Sequence, residues 1–157
     1  MSKTKIGIAA AAAVALSVGI IKPWEGVETT TYLDIAGIPT VCYGQTGQAA
    51  RIGATYTLAE CEAMLGAEVA RMARELDRCI RQPLEPHEAA AVLSWAYNVG
   101  TGAACRSTLV RKINAGEPGS VWCAELDRWN RAGGREVRGL TNRRAYERAV
   151  CEGRRQP

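Results

Sequence analysis

The chain has 157 residues, 47% of them hydrophobic and 23% charged, enough for one domain with a real core. Its net charge of +4 is too mild to point to nucleic acid, and no nucleic-acid partner is expected; it suits an anionic polymer or a membrane surface. The six Cys form no Cys-x-x-Cys pair and the only His is His87, so the usual ligand spacing of a zinc site is missing and neither metal nor cofactor is expected.

The N-terminus opens with Lys3 and Lys5, followed by sixteen uncharged residues from Ile6 to Ile21. Lysines before an apolar run place the N-terminus in the cytoplasm and the rest outside. As a helix the run would span about 24 Å, against about 30 Å for the hydrocarbon core. Six of its residues are Ala, two Gly and one Ser, so insertion should be weak. A cleaved signal peptide is the main competitor, although Ile20, Ile21 and Lys22 follow where small residues should stand. A buried soluble helix is the third reading. The expected division is an anchor over 1–22 and a catalytic domain over 23–157.

From about 27 to 56 the segments "TTTYLD", "IPTVCYG" and "ARIGATY" read as short strands joined by Gly turns, a small β lobe. Thr57 and Glu60 form a capping-box pattern that opens a connecting helix to about residue 78. From about 80 the chain reads as helices. Pro86 opens one that stops near Gly100, Ser107 caps another that ends at Gly116, and "SVWCAELDRW" is a third. "AGGREVRG" reads as a loop, and Thr141 as the cap of a last helix ending at Gly153. The fold class is therefore α+β and mostly helical, with a small β lobe, a connecting helix and a larger helical lobe. A cleft between two lobes is a natural substrate site.

Glu25, Asp34 and Thr40 stand in "WEGVETTTYLDIAGIPTVCYGQTG". Glycoside cleavage needs one protonated acid for the leaving oxygen and an ionised partner for water or the cationic sugar. A hydroxyl such as Thr40 can orient that water. Solvated surface acids are the bland alternative, and Glu28 is the natural decoy. His87 reads as a surface or cap residue. Trp95, Trp122 and Trp129 read as core. Tyr43 and Gln45 are better placed for a cleft wall.

This stretch resembles the active-site segment of the phage-type lysozymes, glycoside hydrolase family 24. The Glu-Gly pair, the Asp nine residues after the Glu and the Thr six further on fall on Glu25, Asp34 and Thr40. "YNVGTGAACRSTLVRKINAG" and "RWNRAGGREVRGLTNRRAYERAVC" are similar to two later family segments. The resemblance implies a two-lobe lysozyme fold. It also implies hydrolysis of the bond between N-acetylmuramic acid and N-acetylglucosamine of peptidoglycan. Glu25 would be the general acid, and Asp34 with Thr40 would handle the water. Arg143 matches the family arginine near the catalytic Glu, while its neighbour Arg144 reads as a solvated helix arginine. Many relatives carry His at the position of Gln45, which can hydrogen-bond but holds no charge.

The N-terminus is similar to that of the signal-arrest-release endolysins. This implies an uncleaved weak anchor, residues 6–21, that holds a monomeric enzyme inactive at the host inner membrane until it is released to the periplasm. Two rivals remain: a lytic transglycosylase, which uses one Glu and no water-activating Asp, and a membrane-tethered wall-binding protein with a dead site.

An even number of separated Cys behind an export-like segment suggests disulfides, with buried free thiols as the alternative. Six Cys allow fifteen pairings. Sequential pairs, Cys42–Cys61, Cys79–Cys105 and Cys123–Cys151, are expected.

Overall fold

The computed structural model describes residues 4–157. Lys3 of the N-terminal basic pair lies outside the described residues. Ile6 exchanges two backbone hydrogen bonds with Leu84, N to O at 2.7 and 2.8 Å, and Ile8 is buried beyond it. Helix α1, Ala11–Glu25, follows. Its buried residues are Ala13, Ser17, Ile20 and Ile21, which fall on one face at helical spacing. Ala11, Ala12, Ala15, Leu16 and Gly19 face outward. The helix continues through Pro23, which has no N–H to give the carbonyl of the exposed Gly19, and ends at Gly26 with φ +65°. A side chain there would strain the backbone, so glycine supplies the sharp exit from α1. Among the described residues, no helix is long and apolar enough to cross a membrane.

Strands β1, Glu28–Leu33, and β2, Pro39–Cys42, form an antiparallel hairpin with Tyr32 opposite Thr40. The third expected strand, "ARIGATY", contributes only a bridge between Thr55 and Thr30. Gly53 sits at φ +85° and Arg51 to Ala54 close a turn, so this segment curves past the hairpin edge instead of lying along it.

Helix α2, Leu58–Leu76, opens with the complete Thr57–Glu60 capping box and buries Cys61, Leu65, Val69, Met72, Ala73 and Leu76. Helix α3, Pro86–Val99, is the axis of the molecule, with every residue from Ala89 to Trp95 fully buried. Its small side chains let α1 and α7 approach closely. Helices α4, Thr101–Cys105, α5, Thr108–Asn114, and α6, Gly119–Trp122, complete the larger lobe with a 3₁₀ turn over Cys123–Arg128. Trp95 meets Trp129 edge to face at 5.2 Å.

The expected loop "AGGREVRG" is a small hairpin, β3 Arg131–Ala132 with β4 Arg135–Glu136. It delivers the chain straight into α7, Arg138–Cys151. The helix therefore begins before Thr141, whose N–H already bonds the Val137 carbonyl; Thr141 sits inside the first turn and is not a cap. Arg144, read as solvated from its charge, is buried at 1% exposure, because α7 packs that face on α3.

Disulfides join Cys42 to Cys61, Cys79 to Cys105 and Cys123 to Cys151. The first fastens β2 to α2, the second ties the segment after α2 to α4, and the third staples the 3₁₀ turn to α7. The β lobe, the connecting helix and the helical lobe are arranged as the sequence led one to expect.

Candidate active site

Glu25 is the last residue of α1, so its carboxylate arrives on the same helix that carries residues 11–21 of the apolar N-terminal run. The side chain keeps 23% exposure. Trp24 beside it packs edge-on to Tyr146 at 5.9 Å. Lys22, one turn earlier, pairs with Glu62 of α2. The end of α1 is thus held from two sides while Glu25 still reaches solvent.

Arg143 of α7 crosses to it: Nη1 donates to Glu25 Oε1 at 2.6 Å. The same guanidinium donates from Nε to Glu147 Oε1 at 3.1 Å and from Nη2 to the Ser94 carbonyl at 3.3 Å. Ser94 Oγ donates to Glu147 Oε1 at 2.7 Å. Arg144 Nη2 donates to Glu147 Oε1 at 3.2 Å, and its Nε lies 2.8 Å from Oε2 as an unaligned ion pair. Glu147 is fully buried, and burial pushes its carboxyl upward from the ordinary range against the opposing pull of Arg144, Arg143 and Ser94. Burial likewise lowers Arg144, with Glu147 opposing.

Two clefts meet at Glu25. One, about 770 Å³, is lined by Tyr43, Gln45, Met64, Arg71 and Tyr97 as well as Glu25. The other, about 620 Å³, adds Val27, Glu28 and Tyr32. A carboxylate at the junction of two open clefts can meet an internal bond of a long polymer that runs through both. Gln45 braces the first cleft: its Oε1 accepts from Tyr43 N at 2.8 Å and its Nε2 donates to Tyr97 Oη at 3.3 Å. Tyr97 Oη donates to the Tyr43 carbonyl at 2.8 Å. Burial first, then the charges of Glu25 and Glu68, push the Tyr97 phenol up to about 12.

Asp34 and Thr40 stand together on the β hairpin, apart from the two cleft linings. Asp34 Oδ1 accepts from Ala36 N at 2.8 Å and Ile38 N at 2.9 Å, which folds the turn around the carboxylate. Among the described residues its Oδ2 has no partner. Thr40 is buried and donates from Oγ1 to the Ile38 carbonyl at 2.9 Å. Glu28 is exposed. His87 lies in the first turn of α3 beside Gly153, away from the site. Among the described residues no three His, Cys, Asp or Glu side chains cluster to hold a metal ion.

Sequence reasoning missed Glu147, Ser94 and Tyr97. Glu147 had a signal: it follows Arg143 by four residues and Arg144 by three, the spacings at which helix side chains meet. Ser94 had none, because its role depends on α3 and α7 lying side by side.

The phage lysozyme family model matches residues 22–147. A SAR-endolysin of Enterobacteria phage PA-2 is 43% identical over 127 residues, 81% of this chain and 76% of that protein. A SAR-endolysin of Pseudomonas phage phiKMV is 36% identical over 155 residues, 96% of this chain and 92% of that protein. Among solved structures, an endolysin from Escherichia coli O157:H7 phage FAHEc1 superposes with a TM-score of 0.78 at 30% identity, covering 90% of this chain and 93% of the other. The muramidase domain of SpmX from Asticcacaulis excentricus gives 0.77 at 25% identity, with 86% and 93% covered. A helix-borne carboxylate at the junction of two clefts, in this fold and with these relatives, makes the chain a member of the phage lysozyme family, an endolysin of the lysozyme-type glycoside hydrolases.

Proposed function

We propose that the protein hydrolyses the β-1,4 bond between N-acetylmuramic acid and N-acetylglucosamine of peptidoglycan. Glu25 gives its proton to the leaving oxygen, and Asp34 with Thr40 handles the attacking water. The observation that carries this reading is the place of Glu25, partly exposed between two clefts and gripped by Arg143. The muramidase name of one structural neighbour supports the bond chosen. One observation favours the transglycosylase reading instead: Asp34 and Thr40 line neither cleft that holds Glu25. Mass spectrometry of digested peptidoglycan separates the two. Hydrolysis yields reducing muramic acid ends, and anhydro-muramic ends as the main product would overturn the hydrolytic reading.

The second part of the proposal concerns residues 6–21, which hold the enzyme inactive at the inner membrane until it is released to the periplasm. Glu25 is on α1, so a helix withdrawn into a bilayer takes the candidate acid away from Arg143. The face of α1 that points outward is built of Ala11, Ala12, Ala15, Leu16 and Gly19. Small apolar side chains are cheap to expose to water and weakly favourable in lipid. Replacing Ala11, Ala12 and Ala15 with Leu adds about 0.3–0.6 kcal/mol of insertion per residue while leaving the docked face of α1 untouched. The triple variant should stay in the membrane fraction and delay lysis. Lysis on the wild-type schedule by protein that remains membrane-bound would sink the anchoring role.

A further inference from the structure

We propose that Glu147 is a positioning residue for Glu25: it shares the charge of Arg143, so that Arg143 orients the Glu25 carboxyl without acting as its full counter-ion. This rests on the reading of Glu25 as a general acid. Such an acid has to carry a proton when the sugar bond breaks. A guanidinium donating to it at 2.6 Å would, alone, favour the ionised form. The geometry resolves the conflict.

The Arg143 guanidinium is held on three sides, by Glu25 Oε1, by Glu147 Oε1 and by the Ser94 carbonyl. Two of those three acceptors carry charge, and of these two it is Glu147 that is fully buried. Ser94 Oγ pins the same Glu147 oxygen that receives Arg143. A side chain with so many fixed contacts has one orientation, and Nη1 is aimed at Glu25 before substrate arrives. Arg144 supplies the second cation and is itself buried against Glu147. The buried set therefore holds two cations and one anion behind Glu25. Replacing the anion would leave two cations facing it.

The other charged and titratable groups around Glu25 are constant across the variants below. These are Lys22 on α1, paired with Glu62 of α2; Glu28 and Tyr32 of β1; Tyr43 after β2; Glu68, Arg71 and Arg74 of α2; and Tyr97 of α3.

The test is the pH–rate profile of cell-wall lysis with thermal melting alongside. Glu147→Gln keeps the shape and a hydrogen-bond acceptor but removes the negative charge. The alkaline limb of the profile should move down by about one pH unit, the effect of one charge at several ångströms in a partly screened site. Arg144→Gln removes one cation and leaves Arg143 paired with Glu147; its limb should move up. Glu147→Asp keeps the charge but retracts the carboxylate, so the limb should stay while the rate at the optimum drops. Opposite movements for Glu147→Gln and Arg144→Gln support the proposal. Lower melting temperatures with unmoved limbs would reduce Glu147 to a structural residue and overturn it. Should Glu147→Gln fail to fold, Arg144→Gln decides: an upward limb supports, a stationary one overturns. Wild-type lysis by Glu25→Gln would instead defeat the general-acid reading itself, a result separate from any movement of the limb.

Discussion

The helical and the hairpin sides of the site hold their carboxylates in different ways. Glu25 is gripped by a side chain, Arg143, which is itself buried among Glu147, Arg144 and Ser94 on two packed helices. Asp34 is gripped by its own backbone, through the N–H groups of Ala36 and Ile38 in one turn. The first arrangement is assembled from residues far apart in the chain and exists only when α1, α3 and α7 are packed. The second is local and needs little beyond the hairpin. Were α1 to leave and rejoin the fold, as proposed, control would fall on the first side, and the hairpin side would be ready throughout.

The comparison breaks first at Glu25. Glu25→Gln should lower the lysis rate by about 10²–10⁴-fold with little change in melting temperature, measured by turbidity loss of cell walls. A variant near wild-type rate would remove Glu25 from the chemistry. Asp34→Asn tests the hairpin side. Its Oδ1 can still accept from Ala36 and Ile38, so the turn should survive while lysis falls severely, by less than for Glu25→Gln. An Asp34→Asn enzyme with full activity would leave only the helical side catalytic.

A smaller effect concerns the scaffold. Replacing both Cys123 and Cys151 with Ala removes the staple between the 3₁₀ turn and α7, and should cost about 3 kcal/mol of stability. The loss should appear as a lower denaturation midpoint, and activity at low temperature should persist because Arg143 lies elsewhere on α7. Smaller again is a pH effect at Tyr97. The folded phenol holds its proton up to about 12, against an ordinary value of 10.0. The unfolded chain releases that proton first, so wild-type stability should fall as pH rises from the ordinary value toward the raised one. Tyr97→Phe should lack that component, and an equal alkaline decline in both proteins would contradict the burial of the phenol. The smallest effect is expected at Glu28, exposed and without a side-chain hydrogen bond among the described residues. Glu28→Gln should lyse at close to the wild-type rate, and a large loss would transfer the acid role to the wrong side of Gly26.

Local patterns were legible where the physics is local. The Thr57–Glu60 capping box, the Pro86 helix start and the Ser107 cap each involve residues within one turn, and α2, α3 and α5 begin where those signals stand. Thr141 failed as a cap signal because the β3–β4 hairpin, a tertiary feature, sets where α7 begins. Arg144 failed for the same kind of reason. Charge predicts exposure on average, and only the buried Glu147 carboxylate makes the exception affordable.

The sequence by itself determined the two-lobe architecture, because turn, cap and periodicity signals survive without coordinates, and the resemblance of three motif blocks pointed to the family and to a short list of acids. It also showed an N-terminal run with too many Ala and Gly to be a strong span. The tertiary structure decided that the part of this run from Ala11 onward ends in Glu25 as one continuous helix, and that Arg143 reaches back across the fold to meet it. It also decided that a buried carboxylate stands behind that arginine. The contact between Arg143 and Glu25 joins residues 118 positions apart, and Ser94 meets Glu147 across 53. No local propensity encodes them, and only the packing of α1 and α7 on the small-residue face of α3 brings the charges together.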